Sequence, residues 1–192
     1  MENSSVFHVE SHFNGFGNPS RESFFMQVGI STMAAYNRWA NTHIYDGVAL
    51  LSSAEFVENR GAFFGSVCGT LNHLLVGDYL WMGRIDGLGP TPDRLDSVLH
   101  ENFDALRQAR ETADVRLIEI VDGLEEAALA DVLSYQSVTS GPQSQVLGLV
   151  LAHIFNHQTH HRAQVHTLLS QFGKDAPSID YIYFLLASDQ PS

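Results

Sequence analysis

The chain has 192 residues, enough for one sizeable core and short for two. Twenty-two acidic residues stand against 10 basic ones, a formal net charge of −12. That balance argues against DNA or RNA binding and against anionic membrane surfaces, both of which call for basic residues. The single cysteine, Cys68, cannot form an internal disulfide, which fits a reducing compartment. It lies in an apolar stretch with no neighbouring Lys or Arg and reads as a small core residue. The start of the chain carries no apolar run of signal-peptide length, and no stretch is long enough for a membrane span. These features predict a cytoplasmic protein with no membrane or nucleic-acid partner.

Residues 1–22 are rich in Asn, Gly, Pro and Ser without periodicity, and read as an N-terminal extension to a domain over 23–192. His8 and His12 fall in this broken stretch and are assigned no role. A first helix is expected over 23–51, where Met26, Ile30, Met33, Ala40, Ile44, Val48 and Leu51 recur at helical spacing. A second is expected over 62–82 and is apolar on more than one side, through Phe63, Phe64, Val67, Leu71, Leu75, Leu80 and Trp81. From helical phase alone, His73 falls on a flank of small residues (Ser66, Gly69, Thr70, Gly77) and is predicted at the surface, while Asp78 lies nearer the stripe.

Gly83, Gly87, Gly89 and Pro90 form a long turn. Thr91, Pro92 and Asp93 then make a good helix start, with Pro in the first turn. A third helix is predicted from there to about residue 121 or 124. Leu95, Val98, Leu99, Phe103, Leu106, Ala113 and Leu117 are on its buried face, and Arg107, Arg110 and Glu111 on its solvated face. Over 129–143 the pattern alternates and ends at Gly141-Pro142, predicting a short strand or an ordered loop. Ser144 is the expected cap of a fourth helix that stops at Gly173. The apolar tail beyond it should pack back through Tyr181, Tyr183 and Phe184. Four long amphipathic segments with modest connections predict an all-α four-helix bundle.

The fourth helix carries the sequence LAHIFNHQTHHRAQVHTLLSQFG. At about 100° per residue, His157 and His161 lie on the same face as Val150, Ile154, Val165 and Leu168, one turn apart. His153, His160 and His166 point elsewhere. Two stacked histidines aimed into a core can share one metal ion, or can be satisfied by Gln158, Gln164 or water.

The stretches YNRWAN, RGAFFGSVCGTLNHLLVGDYLW, HIFNHQTHHRAQVHTLL and PSIDYIYF, in this order from about residue 33 to 184, resemble the DinB family of bundle proteins. The resemblance implies three metal-ligating histidines: His73 from the NH-L-L segment, and His157 and His161 from the H-x-x-x-H. It thereby overrides the phase-based placement of His73 and demotes Asp78. It also implies a divalent metal, zinc favoured and nickel second, a homodimer, and chemistry of the thiol S-transferase or hydrolase type. A low-molecular-weight thiol is then the expected co-substrate. Three imidazoles with an open position is the layout of a catalytic rather than a closed structural site. Gln164, Asn156 and Arg162 are candidate helpers. The alternatives are a non-catalytic metal-binding stress protein and a dimeric interaction module with a vestigial site. Phe63, Phe64, Leu80 and Trp81 are the expected dimer surface, and metal affinity is expected to fall as pH drops through about 6.5.

Overall fold

The computed structural model describes residues 21–188, with side chains from residue 29 onward. The N-terminal extension, with His8 and His12, lies outside the described residues apart from its last two positions. Four long helices pack around one core: α1 (Arg21–Val48), α3 (Val67–Asp86), α4 (Phe103–Gly123) and α5 (Leu147–Gln171). Each of α1 and α3 packs against both α4 and α5, so the helices close in the order α1, α4, α3, α5. Two short helices, α2 (Ser53–Val57) and α6 (Tyr181–Ser188), a 3-10 turn over Glu126–Ala130 and one hairpin, β1 (Val132–Ser137) with β2 (Gly141–Val146), are the other regular elements of the described chain. Among the described residues, no helix is long and apolar enough to cross a membrane. The expectation of a mostly helical fold holds.

Helix α1 buries Ala34, Asn37, Ala40, Asn41, Ile44 and Val48, a helical repeat of apolar and amide side chains. Helix α3 begins five residues later than its apolar pattern suggests. Ser66 caps it, accepting from Gly69 N at 3.1 Å. The preceding chain turns tightly at Gly65, where φ is +77°. A Cβ at Gly69 would collide with the carbonyl oxygen of Phe64, so the turn can fold flat on the helix only over a glycine. Phe63 and Phe64 therefore precede the helix rather than belong to it. The helix then runs through Gly83 and ends at Gly87 in the left-handed conformation (φ +74°).

The third predicted helix starts in the wrong place. Residues 91–102 are irregular, and α4 begins only at Phe103, capped by Asn102, whose Oδ1 accepts from Ala105 N at 3.0 Å. The reason is Asn72. Its buried side chain accepts from Leu99 N (2.8 Å) and His100 N (2.9 Å) through Oδ1 and donates to His100 O (2.9 Å) through Nδ2. Those backbone groups are thus satisfied by α3 and not by a helix of their own. Leu95 and Val98, expected in the core, are 39% and 52% exposed.

Arg110, expected in solvent, is 2% exposed and lies in the centre of the bundle. Its Nη1 pairs with Asp78 Oδ2 at 2.6 Å and its Nη2 with Asp114 Oδ1 at 3.0 Å. Gln158 donates to Asp78 Oδ2 (2.6 Å), Asn41 to Asp114 Oδ1 (2.9 Å), and Arg162 to the side-chain oxygens of Asn37 and Asn41. Two arginines and two aspartates, drawn from all of α3, α4 and α5 and bonded to amides of α1, leave this buried network formally neutral. Burial opposes the charge on Arg110, but Asp114 and Asp78 outweigh it and raise its pKa.

The strand-or-loop region is a full antiparallel hairpin, with Val132 opposite Val146 and Ser137 opposite Gly141. Ser144 lies in β2 and caps nothing. Helix α5 starts at Leu147, whose N–H bonds to Asp131 O at 2.9 Å. The tail does pack back onto α1: Tyr36 donates to Ile179 O at 2.8 Å, and its ring meets Tyr181 and Phe184 edge-on. Tyr183, the third expected anchor, is 48% exposed.

Candidate metal centre

Helices α3 and α5 face each other, and their close approach is set by Gly77. A Cβ there would lie 3.1 Å from His157 Cε1 and 3.5 Å from its Nδ1, so the imidazole of α5 rests on the backbone of α3. One turn earlier on α3 is His73. It is 6% exposed, not at the surface as helical phase alone predicts, because the segment carrying Leu95 and the Phe64 ring cover that flank. His73 Nε2 and His157 Nε2 are 3.0 Å apart. His161, one turn beyond His157 and 7% exposed, closes the group with ring centroids 4.6 Å from His73 and 4.5 Å from His157. One ring nitrogen from each of the three lies within 4.8 Å of the others, so the three histidines could hold a metal ion.

The tautomers follow from the outer contacts. His73 Nδ1 is 2.7 Å from Leu95 O, and His161 Nδ1 is 2.8 Å from Gln164 Oε1. Both partners can only accept, so each Nδ1 carries the proton and each Nε2 presents a lone pair. Burial is the main cause that lowers the pKa of all three rings. For His157, aided by His161 and His73, it falls to about 3; Leu95 and Gln164 partly oppose the shift at His73 and His161. Two neutral rings thus turn lone pairs toward His157, whose Nε2 would give up the proton of its 3.0 Å contact with His73 to join them on a divalent ion. Nitrogens bonded at about 2.1 Å to one tetrahedral ion are about 3.4 Å apart, so separations of up to 4.8 Å close onto an ion with a movement of at most about 1.4 Å.

The other sequence candidates separate cleanly. His160 is exposed; Gln164 donates to it at 3.3 Å and holds it outside the group. Asp78 turns to Arg110 and Gln158, away from the histidines. Of the three helpers, Gln164 touches His161, Arg162 is committed to the core amides, and Asn156 is exposed. The carbonyl of Leu95 and the Asn72 side chain that holds its segment were not singled out from sequence. A backbone oxygen leaves no residue signature, though the NH pair Asn72-His73 did mark the place.

Beside His73 and His157 opens a cleft of about 260 Å³. Its far wall is Trp81 and Arg84 of α3 with Ser137, Val138 and Thr139 of the hairpin, and His153 lines it from α5. His153 thus faces the cleft, with its ring 5.3 Å from Trp81 and 5.8 Å from His157, although its phase put it off the buried stripe.

The model of the DinB family matches residues 26–191. The chain belongs to the DinB family. It is 23% identical over 163 residues to the protein named DinB of Bacillus subtilis (strain 168), covering 78% of this chain and 90% of that protein. In fold it is similar to the crystal structure of a DinB-like protein from Bacillus cereus ATCC 10987. The TM-score is 0.55 at 15% identity, over 72% of this chain and 89% of that one. The DinB likeness at this identity speaks for the shared helical fold, and the chemistry must be argued from this chain's own residues.

Proposed function

We propose that this DinB-family protein binds one divalent metal ion through His73, His157 and His161 and uses it in a thiol S-transfer or hydrolytic reaction. The observation that carries the reading is the pair of Nδ1 contacts, to Leu95 O and Gln164 Oε1, which turns two buried Nε2 lone pairs toward a third imidazole. Three neutral imidazoles leave a position open for water or a thiol; imidazole sites suit zinc, nickel, copper and iron alike, and zinc is favoured on availability, with nickel second. When bound, such an ion lowers the pKa of water or thiol at that position. The chain supplies the rest. Gly77 lets α3 and α5 approach, Phe64 stacks on His73 with centroids 3.8 Å apart and shields it from water, and the adjoining cleft offers room for a second reactant.

Metal analysis of untagged protein, followed by turnover of a thiol with an electrophile, tests the proposal. One equivalent of ion, and thiol consumption that stops on chelation while the helical spectrum persists, is the expected result. Stoichiometric metal without any turnover across thiol and ester panels would favour the non-catalytic reading instead.

Assembly as a homodimer belongs to the same proposal. Phe63 is 85% exposed and Trp81 half-buried, whereas Leu80 is 9% exposed and packs within its own chain, so the candidate surface is narrower than the sequence suggests. Sedimentation at micromolar concentration decides it.

A further inference from the structure

We infer that the cleft beside the three histidines takes a small molecule bearing a carboxylate, anchored by Arg84. Arg60, Arg94, Arg107, Arg110 and Arg116 each meet a carboxylate at 2.6 to 2.9 Å. Arg84 meets none among the described residues, and neither do the exposed Arg38 and the buried Arg162, but Arg162 spends its guanidinium on the oxygens of Asn37 and Asn41. Its guanidinium lies over the rings of Trp81 (4.3 Å to the centroid) and Tyr135 (4.6 Å), and its Nη2 donates to Gln136 O at 3.1 Å. Helix α3 and the hairpin thus fix the fork in place, while Nε and Nη1 make no hydrogen bond to a described residue. Holding a cation by ring faces and one carbonyl leaves its charge uncancelled.

The surroundings point the same way. Among the described residues no Asp or Glu lines the cleft, although the chain is strongly acidic overall. Its ionisable lining is Arg84, His153, His73 and His157, so the local field is that of the guanidinium. A planar fork with free N–H groups in such a setting matches a carboxylate in geometry as well as charge. The size, about 260 Å³, suits a small organic acid rather than a polymer. Arg84 and His73 line one cleft, so an acid held at one end presents its remainder to the histidines at the other. This rests on the proposed metal centre only for what the anchored molecule meets there; the anchoring itself stands on Arg84.

The test is a binding titration of phenylacetate against its neutral isostere phenylacetamide, using full-length protein as purified and the same protein dialysed against EDTA. Binding is followed by the shift of the Arg84 Nε–H and Trp81 indole resonances. The acid is expected to bind at least about tenfold tighter than the amide in both preparations. Arg84→Gln should erase the preference, and Arg84→Lys, which keeps the charge but not the fork, should restore part of it. An Arg84→Gln protein that still prefers the acid overturns the inference. So does a preference present before dialysis and absent after it, since the ion and not the arginine would then hold the carboxylate; that outcome leaves the metal centre standing. A protein that binds no metal yet shows the Arg84-dependent preference fails the metal proposal and supports this one.

Discussion

His73 donates from Nδ1 to the carbonyl oxygen of Leu95 at 2.7 Å, so the nitrogen it turns toward His157, 3.0 Å away, is a lone pair. A backbone oxygen from an irregular segment therefore decides what a helical histidine can do. Alanine at His73, His157 or His161 is expected to abolish stoichiometric metal, measured by elemental analysis after desalting. His160→Ala should leave the metal in place, because His160 adjoins His161 in sequence yet stands exposed outside the group. The reverse pattern at His160 and His161 would place the site on another face of α5.

Gln164 plays for His161 the part that Leu95 plays for His73. Gln164→Ala removes the acceptor at Nδ1 and frees the ring to flip. Outer contacts of this kind typically change affinity by about 10- to 100-fold. The expected outcome is that loss in a competition titration with a chelating dye, with no change in stoichiometry. An unchanged affinity would mean that packing against Phe64 alone orients His161.

Gly77→Ala separates stability from binding. In mid-helix the exchange should favour the fold by about 0.5–1 kcal/mol. The new methyl group, though, would meet His157 Cε1 at 3.1 Å and push the ring off α3. Metal-free protein is thus expected to melt no lower than wild type while metal affinity falls. Equal affinity would show that the ring can yield without leaving the group.

Much of this was legible in the chain because helical periodicity is local. The 3.6-residue repeat placed α1 and α5 nearly to their ends and aimed His157 and His161 inward. What it could not place was set by single side chains acting across the fold. Asn72 holds residues 99 and 100 away from helix, which displaced the start of α4 and left Leu95 free to meet His73. Arg110 looked like a surface residue because a charge on a helix usually is one; only Asp78 and Asp114, 32 residues upstream and 4 downstream, make its burial tolerable. His73 was recoverable only from the resemblance, since its burial comes from the chain folded over its flank.

The neutral network around Arg110 should be unforgiving of single cuts. Asp78→Ala leaves a buried guanidinium with one carboxylate and strips Gln158 of its acceptor. Breaking a buried pair on one side costs about 3–5 kcal/mol. Chemical denaturation of the metal-free variant is the measurement, and a loss under about 1 kcal/mol would mean that water enters to replace the carboxylate. Metal stoichiometry is expected to survive where the fold does, because Asp78 does not touch the histidines.

Acid should act on the metal-free protein in a window set by the same three rings. In the unfolded chain each titrates near its ordinary value of about 6.5. In the folded chain burial lowers all three, His157 to about 3. Below about pH 6.5 the unfolded state therefore binds more protons, and stability falls as the pH drops toward the folded values. Above that range the histidine contribution is fully present and flat. Glu55 and Asp96, whose pKa values are lowered by the hydrogen bonds of Ser52 and Arg94, lose their contributions only below the ordinary carboxylate range, further into acid. Denaturant midpoints between pH 7.5 and 5 should thus decline for wild type and decline less for His157→Gln, which has no proton to gain. The same shift changes the expectation for metal. Free imidazoles would lose their ion as the pH passes about 6.5, but burial lowers all three rings, so proton competition for the ion should begin further into acid than it does for free imidazole. Affinity that instead halves steadily from pH 7.5 downward would show that the three rings are solvated rather than buried in solution.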